Sequence, residues 1–431
     1  MEKAALYRSK FRSIQQVLDQ IQSGDTIAAG WYGNEPAALL GQLHTIAPRV
    51  TDVTVWVTNP VGDYPFINDV ALNGRIDLLS VFYNRLLHQA HRNGRVSLIP
   101  ANLHSLAETM IRAKRPNLFL AACTPMDENG CVQLPCSQQA EYELLAAADR
   151  VILEVNPALP HTFGTVNVPV ERVDAFVAVS YPVASIEEPP LTDTDRAIAA
   201  NVATLVRDGD CIQLGIGSMP NAVGEALRDK QELGIHTEMI TTSMARLMAC
   251  GAVTNSRKTL HPGKTIGAFA LGTAELYRYM DYNPQIELRP CSYVNDPFVI
   301  AQNDNMVSIN TALEIDLTGQ VCSESIGYRQ YSGTGGAMDF AYGAYHSKGG
   351  RGIIALSSTT RDGRLSRIRS VLSPGAAVSI SRNLVDYIVT EYGIAPMRDR
   401  PIRERVEGLI RIAHPQFREA LRKEARDMLL W

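Results

Sequence analysis

The chain has 431 residues, of which 45% are hydrophobic and 20% are charged, and its formal net charge is −4. This composition is typical of a globular protein long enough for two domains of ordinary size. The slightly acidic balance provides no basic surface for nucleic acid or an anionic membrane. No apolar run approaches the roughly 18 residues of a membrane helix, and the charged start of the chain is unlike a signal peptide.

The cysteines indicate a reducing compartment. Seven of them occur singly along the chain, with no C-x-x-C pair. An odd number without paired spacing argues against a disulfide framework and against a structural zinc site. We therefore predict a cytoplasmic protein that needs no metal.

The first elements in chain order form a helix, a strand, a glycine-containing loop and a second helix. Apolar residues at helical spacing predict a helix over Ile14–Gln22, and the apolar run Thr26–Ala29 predicts a strand. Gly30–Gly33 forms the loop, and Pro36 suits the first turn of the next helix.

The same succession returns in the second half of the chain. Val202–Val206 has helical spacing, Cys211–Leu214 is a predicted strand, Gly215–Gly217 is a loop, and Pro220 opens another helix. A unit that recurs at so long a distance implies two similar α/β halves rather than a short-period solenoid.

A linker separates the halves. Ser185–Asp193 is acidic, rich in proline and without hydrophobic periodicity, so we predict domains at 1–186 and 187–431. Within each half, apolar strand-like runs alternate with helical patterns, which predicts open, largely parallel sheets covered by helices. The runs are Val53–Val57, Leu118–Ala122, Arg150–Val155, Ala175–Val179, Ile353–Leu356 and Tyr387–Val389. The charged segment Pro401–Leu430 has the spacing of closing helices.

One carboxylate stands out within a predicted strand. Gly234–Ile240 places Glu238 among apolar neighbours, so Glu238 is either a paired structural charge or a group held for chemistry. Two glycine-rich loops, Gly215–Gly217 and Ser332–Gly336, favour chemistry because both fall at predicted strand ends, where ligands bind in such sheets. We predict that Glu238 is a covalent nucleophile, ionised near pH 7, with backbone N–H groups of both loops around it.

Two of these motifs also resemble other known sites. Gly215-Ile216-Gly217 begins like a dinucleotide fingerprint, but Pro220 stands where the third glycine is needed. A tight turn is the alternative for this loop. His236-Thr237-Glu238 matches the H-x-E of zinc deaminases, but Val294 replaces the second cysteine that such sites require. We expect His236 to be packed or hydrogen-bonded.

The second glycine loop has its own alternatives. Successive N–H groups of Gly333–Gly336 form a potential anion nest, whereas a plain flexible loop is the other interpretation. Asp339, which follows the loop, is expected to be a helix cap.

These residues resemble those of the CoA-transferases that act on 4-hydroxybutyrate, butyrate–acetate and related acids. This family includes itaconate-type enzymes and acetyl-CoA hydrolase-like members. The resemblance runs almost end to end. It is carried by Leu214–Gly217, His236–Met239, Asn310–Leu317, Ser332–Phe340, Gly343–Ile353, Ser366–Ile368, Val389–Ala395 and Arg411–Pro415.

The resemblance implies two similar open-sheet α/β domains with the active site at their interface, in a homodimer or larger homo-oligomer. It implies no permanently bound cofactor, acyl-CoA and a small carboxylic acid as substrates, and a ping-pong reaction through a glutamyl-CoA thioester. The catalytic residue falls on Glu238. The implied CoA contacts are Gly215, Ile216, Gly217, Ser218, Met219, Asn310, Leu313, Gly335 and Gly336.

Two alternatives stay open from the sequence. A hydrolase would use the same Glu238 with water as acceptor, and a non-catalytic ligand-binding α/β protein would merely keep the fold. One three-residue segment and one single residue near the expected acyl pocket differ from residues common in close relatives. They are Thr241–Ser243 and Ala337, and they leave room for a bulkier acid or one with a second carboxylate.

Overall fold

A computed structural model describes residues 2–215 and 217–430. The strands are β1 Thr26–Ala29, β2 Val53–Trp56, β3 Ile76–Ser80, β4 Val96–Leu98, β5 Leu118–Cys123, β6 Cys131–Gln133, β7 Arg150–Val155, β8 Phe163–Gly164, β9 Asn167–Pro169, β10 Ala175–Ala178, β11 Cys211–Leu214, β12 Gly234–Ile240, β13 Thr265–Ala270, β14 Ile286–Leu288, β15 Met306–Thr311, β16 Glu314–Asp316, β17 Val321–Cys322, β18 Ser325–Ile326, β19 Arg329–Gln330, β20 Arg351–Ala355, β21 Ile368–Arg369, β22 Tyr387–Thr390 and β23 Gly393–Pro396.

The helices are α1 Glu2–Ser9, α2 Ile14–Leu18, α3 Ala37–Gln42, α4 Pro65–Asn68, α5 Arg85–Arg92, α6 Leu106–Lys114, α7 Glu141–Ala147, α8 Asp193–Thr204, α9 Ser218–Ala226, α10 Thr242–Ala249, α11 Ala274–Met280, α12 Cys291–Val294, α13 Pro297–Ile300, α14 Ala337–His346, α15 Ile402–Ile412 and α16 Arg418–Asp427. Within the described residues, no helix has the length and apolar character needed to cross a membrane.

The chain forms two compact units, and each consists of two segments. The first unit contains Met1–Ile186 and Ile266–Tyr293, and the second contains Glu187–Thr265 and Val294–Trp431.

The first unit is built on a parallel sheet with the strand order β10-β7-β5-β1-β2-β3-β4. Its central strand β5 is buried at every position. Parallel sheets are covered on both faces, so their strands have nearly continuous apolar sequences, which is why the runs were recognisable. Strands β13, β14 and β8 of this unit lie side by side.

The second unit repeats this strand order. Its strands follow the order β23-β22-β20-β15-β11-β12, in which only β23 is antiparallel to its neighbour. The series β22-β20-β15-β11-β12 corresponds to β10-β7-β5-β1-β2 of the first unit. Gly24 and Gly209 occupy equivalent turns, and both have φ of +81°, a conformation that favours glycine. The predicted α/β class with two similar halves is confirmed.

Element boundaries differ from the predictions at helix ends. The helix that was expected over Val202–Val206 is the end of α8, which starts in the predicted linker. Thr192 and Asp195 form a capping box there, and this pair of reciprocal hydrogen bonds fixes a helix start. The helix predicted to open at Pro220 begins two residues earlier, at Ser218.

Candidate functional site

Glu238 lies near the carboxyl end of β12, as the sequence predicted. Thr237 and Met239 on either side are buried, whereas Glu238 is partly exposed. The strand ends two residues later, and the Thr241 side chain caps α10 by accepting a hydrogen bond from the Met244 N–H. The carboxylate therefore stands on a rigid strand at the sheet edge where ligands bind in open α/β sheets.

Two donors hold the Glu238 carboxylate. Asn295 Nδ2 donates to Glu238 Oε2 at 3.1 Å, and the backbone N–H of Gly336 also donates to the carboxylate. Gly336 is the N-cap residue of α14, where N–H groups lack partners within the helix. These are the only donors to Glu238 found in residues 2–215 and 217–430.

The carboxylate leaves no space for a side chain at Gly336. An ideal Cβ at this position would lie 1.9 Å from Glu238 Oε2 and 2.3 Å from Asn295 Nδ2. Gly336 has φ of −94°, which any residue adopts. The absence of a Cβ is therefore needed for the approach of the backbone to Glu238 and not for the turn.

Burial changes the acid–base behaviour of Glu238. Removal from water raises its pKa to about 7, the nearby charge of Asp339 acts in the same direction, and the hydrogen bonds from Asn295 and Gly336 oppose them. Glu238 is therefore only partly ionised at neutral pH, whereas the sequence predicted an ionised glutamate. The sequence did not reveal how far the site is desolvated, and desolvation disfavours the charged form of a carboxyl group.

Asp339 is not the helix cap that was expected. Gly336 takes the cap position of α14, and Asp339 lies three residues further on, inside the first turn. Its side chain is 1% exposed. The predicted capping role is wrong because the helix begins earlier than the sequence indicated. Asp339 is instead a buried carboxyl group whose charge acts on Glu238.

His236 supports the site indirectly. It is completely buried, and its Nε2 lies 2.8 Å from the carbonyl oxygen of Val294, so Nε2 carries a proton and donates. Val294 immediately precedes Asn295. Because His236 and Glu238 are two residues apart on one strand, their side chains are on the same face. The prediction of a hydrogen-bonded histidine is confirmed.

The structure brings the start of the first glycine loop to Asn310. Gly215 follows β11 and donates its N–H to Ile309 O at 3.0 Å. A Cβ on Gly215 would lie 3.8 Å from Asn310 Oδ1. Asn310 exchanges hydrogen bonds with Gln213 at 3.1 and 3.2 Å, so its amide is fixed beside the loop.

The remaining residues of this loop lead into α9. Gly217 is exposed and has φ of +117°. The Ser218 hydroxyl donates to Asp195 Oδ1 at 3.3 Å, and Met219 is buried in the first turn of the helix. Ile216 lies outside the described residues.

In the second glycine loop, Gly335 has φ of +60°, a conformation that favours glycine. Leu313 is half-buried and donates its N–H to Cys322 O at 2.8 Å. Among the predicted site residues, Glu238 and Gly336 are in direct contact. Asn295 was missed, because it lies 57 positions after Glu238 and no spacing rule connects two such distant residues.

A cavity of about 400 Å³ is also present in the second unit. It is lined by Glu188–Leu191 together with residues of α9 and α10, and Glu238 is not among its lining residues. Within the described residues, no cluster of three or more potential metal ligands is found.

Comparison with known families identifies the chain. Residues 1–187 match the acetyl-CoA hydrolase/transferase N-terminal domain, and residues 272–425 match the corresponding C-terminal domain. The chain belongs to the acetyl-CoA hydrolase/transferase family. Glu238 lies between the two matched segments.

Two similar members of the acetyl-CoA hydrolase/transferase family are CoA-transferases by name. The chain is 39% identical to succinyl-CoA:cyclohexane-1-carboxylate CoA transferase of Geobacter metallireducens, over 98% of this chain and 96% of the relative. It is 37% identical to 4-hydroxybutyrate coenzyme A transferase of Clostridium kluyveri, over 98% and 99%. The crystal structure of RipA from Yersinia pestis matches over 100% of both chains, with a TM-score of 0.95 and 35% identity. The predicted family and enzyme class are confirmed.

Proposed function

We propose that this protein transfers CoA between an acyl-CoA and a short carboxylic acid, and that Glu238 carries the intermediate. The observation behind the proposal is the contact of the Glu238 carboxylate with two converging donors, the Asn295 side-chain amide and the Gly336 N–H. A purely structural carboxylate with a raised pKa would be better replaced by a neutral residue. A nucleophile, by contrast, gains from such a desolvated and oriented position.

The first half-reaction begins with the ionised form of Glu238. Its oxygen attacks the thioester carbonyl of the acyl-CoA, which forms an acyl-glutamyl anhydride and expels the CoA thiolate. The thiolate then attacks the glutamyl carbonyl carbon, expels the carboxylate of the first acid, and leaves a glutamyl-CoA thioester. The acceptor acid runs the same two steps in reverse.

The two donors act in the second step, in which the CoA thiolate attacks the glutamyl carbonyl carbon. Attack of the thiolate places negative charge on the side-chain oxygen of Glu238, which Asn295 Nδ2 approaches at 3.1 Å. The Gly336 N–H adds a second donor to the same carboxyl group. A preorganised donor of this kind is worth about 3 kcal/mol of transition-state stabilisation. Asn295 and Gly336 thus form an oxyanion hole for the glutamyl carbonyl.

The glycine loops are proposed to bind the coenzyme. Gly215, Gly217, Ser218 and Met219 surround the start of α9, whose free N–H groups suit an anion or a polar carbonyl. Asn310, Leu313 and Gly335 provide the other proposed contacts, and the family resemblance extends this role to Ile216. Binding energy from these remote contacts holds the reacting atoms in place.

The acid is proposed to be a short carboxylic acid of the 4-hydroxybutyrate, butyrate or itaconate type, in a pocket with room for a bulkier acid or for a second carboxylate. The relatives named above use 4-hydroxybutyrate and cyclohexane-1-carboxylate as acids. Thr241–Ser243 and Ala337 support a difference at the acyl pocket. Butyrate, 4-hydroxybutyrate, itaconate, succinate and cyclohexane-1-carboxylate therefore form the acceptor panel.

Four further features belong to this proposal. The chemistry above requires no permanently bound cofactor, since CoA enters and leaves as substrate. All seven cysteines lie in described residues and are free thiols, which supports the cytoplasmic location. A homodimer or larger homo-oligomer and a domain boundary at residues 186/187 complete it. Light scattering and limited proteolysis test these two features.

The decisive experiment separates a transferase from a hydrolase. Loss of acetyl-CoA, butyryl-CoA and succinyl-CoA is measured with and without each acid of the panel. We expect rapid loss only with an acceptor, together with the appearance of the new acyl-CoA. Equal loss without any acceptor would identify a hydrolase and refute the transferase proposal.

A further inference from the structure

An exposed hairpin directly precedes the second glycine loop. Strands β18 and β19 pair through Ser325–Gln330 and Ile326–Arg329, which leaves Gly327 and Tyr328 as a two-residue turn. Gly327 has φ of +56°, and hairpin turns of this length favour glycine at such a position. The turn fixes Tyr328 at the tip of the hairpin.

The tip carries an aromatic ring and a free positive charge. Tyr328 is 87% exposed, although one side of its ring packs on the backbone of Gly375, where a Cβ would lie 2.2 Å away. The neighbouring Arg329 is exposed and makes no ion pair with any residue in 2–215 or 217–430. An exposed aromatic ring that is next in sequence to an unpaired guanidinium suits a ligand that combines a planar base with phosphate.

The hairpin is connected to the second glycine loop through Glu324. The Glu324 carbonyl oxygen accepts from the N–H groups of Tyr331 and Ser332 at 2.8 and 3.0 Å. Its buried carboxylate accepts from Thr334 Oγ1 at 3.3 Å and from Ser379 Oγ at 2.9 Å. A single residue therefore ties the hairpin to the loop that ends at Gly336, so the two are positioned together.

The distance between the tip and the reacting carboxylate is limited by the chain. Arg329 and Gly336 are seven residues apart, which allows at most about 25 Å. The pantetheine arm of CoA is an extended chain that separates the thiol from the phosphates and the adenine. A thiol at Glu238 and a nucleotide at the hairpin are thus compatible with one bound molecule.

We propose that the Tyr328–Arg329 hairpin binds the nucleotide end of CoA, with the adenine stacked on Tyr328 and a phosphate paired with Arg329. This inference rests on the proposed function and adds a subsite that neither the glycine loops nor the resemblance provides. Ile326, the last residue before the turn, is a further exposed apolar side chain of this hairpin, with 55% of its surface accessible.

The test compares a complete substrate with one that lacks the nucleotide. KM and kcat/KM are measured for acyl-CoA and for the matching acyl-pantetheine with Tyr328→Ala, Tyr328→Phe and Arg329→Ala. Tyr282→Ala is the control, because Tyr282 is another exposed tyrosine, 68% exposed, on a turn with positive φ. Melting temperatures verify that each variant is folded.

We expect Tyr328→Ala and Arg329→Ala to raise KM for acyl-CoA by about 10-fold or more, in line with the loss of one stacking contact or one charge-assisted contact. Tyr328→Phe and Tyr282→Ala should keep the wild-type KM, and acyl-pantetheine should react equally with all variants. Unchanged KM values for acyl-CoA would overturn the inference. An equal fall in kcat/KM with acyl-CoA and acyl-pantetheine, or a changed oligomeric state as the sole effect, would also overturn it.

A binding measurement keeps this inference distinct from the proposed function. Titration with free CoA by calorimetry should show the same weakening in Tyr328→Ala and Arg329→Ala. If the wild-type protein binds CoA at the hairpin but transfers it to no acid, the proposed function fails and the subsite stands. If transfer occurs and the variants bind CoA normally, only the subsite fails.

Discussion

The substitution Gly336→Ala tests the oxyanion hole with one methyl group. The new Cβ would lie 1.9 Å from Glu238 Oε2, whereas real Cβ atoms essentially never approach closer than 3.0 Å. The carboxylate or the loop must therefore shift by at least 1.1 Å, the difference between these two distances. Misplacement by about 1 Å costs roughly 10²-fold in rate, and loss of one donor costs about 10²- to 10³-fold. We expect kcat to fall by about 10²- to 10³-fold.

The assay is steady-state CoA transfer with the best acid of the panel, accompanied by thermal unfolding. Gly41→Ala is the matched control, because a Cβ at Gly41 in α3 meets no atom within 4 Å, and it should keep wild-type activity. Since the φ of Gly336 suits alanine, Gly336→Ala should fold normally. A folded Gly336→Ala protein with wild-type kcat would refute the contact of this loop with the reacting carboxylate.

Three further predictions concern the charge of Glu238. First, Glu238→Gln should abolish transfer yet raise the free energy of unfolding at pH 8 by up to about 3 kcal/mol. The raised pKa means that ionisation destabilises the folded state, so this gain should grow between pH 4.5 and 7 and vanish at lower pH. Urea titrations at pH 4 and pH 8 measure it, and equal stability of both proteins at pH 8 would contradict it. Second, kcat/KM should fall below pH 7 with an apparent pKa of about 7. Asp339→Asn should lower this apparent pKa because it removes a negative charge near Glu238. An unchanged apparent pKa in Asp339→Asn would exclude the electrostatic interaction between Asp339 and Glu238. Third, Asn295→Asp should lower kcat by about 10²-fold and raise the apparent pKa of kcat/KM, because it replaces a hydrogen-bond donor by a negative charge. Pre-steady-state rates and pH profiles measure both effects. A pH profile like that of the wild-type protein would rule out the proposed role of Asn295.

The sequence predicted the sheets because buried parallel strands are nearly uniform in hydrophobicity. The run Leu118–Ala122 differs from β5 by a single residue, and Gly234–Ile240 is identical to β12. Helix ends were less predictable, since α8 starts at a capping box whose hydrogen bonds depend on side-chain orientation.

The sequence predicted only those site residues that differ visibly from their neighbours in the chain. Glu238 stood out as a charge in an apolar strand, and the glycines stood out as loops without side chains. Asn295 and the raised pKa of Glu238 could not be predicted, because a long-range contact and desolvation both arise from packing. Asp339 was misjudged for the same reason, since its burial depends on where α14 begins.

The central claim is that the Glu238 carbonyl bears CoA during turnover. The most direct measurement is incubation with an acyl-CoA in the absence of acceptor, reduction with borohydride and peptide mass mapping. A glutamyl-CoA thioester predicts conversion of position 238 to a primary alcohol, in wild-type protein but not after omission of the acyl-CoA. Efficient transfer to an acid with an unmodified Glu238 in every trapped sample would contradict the account.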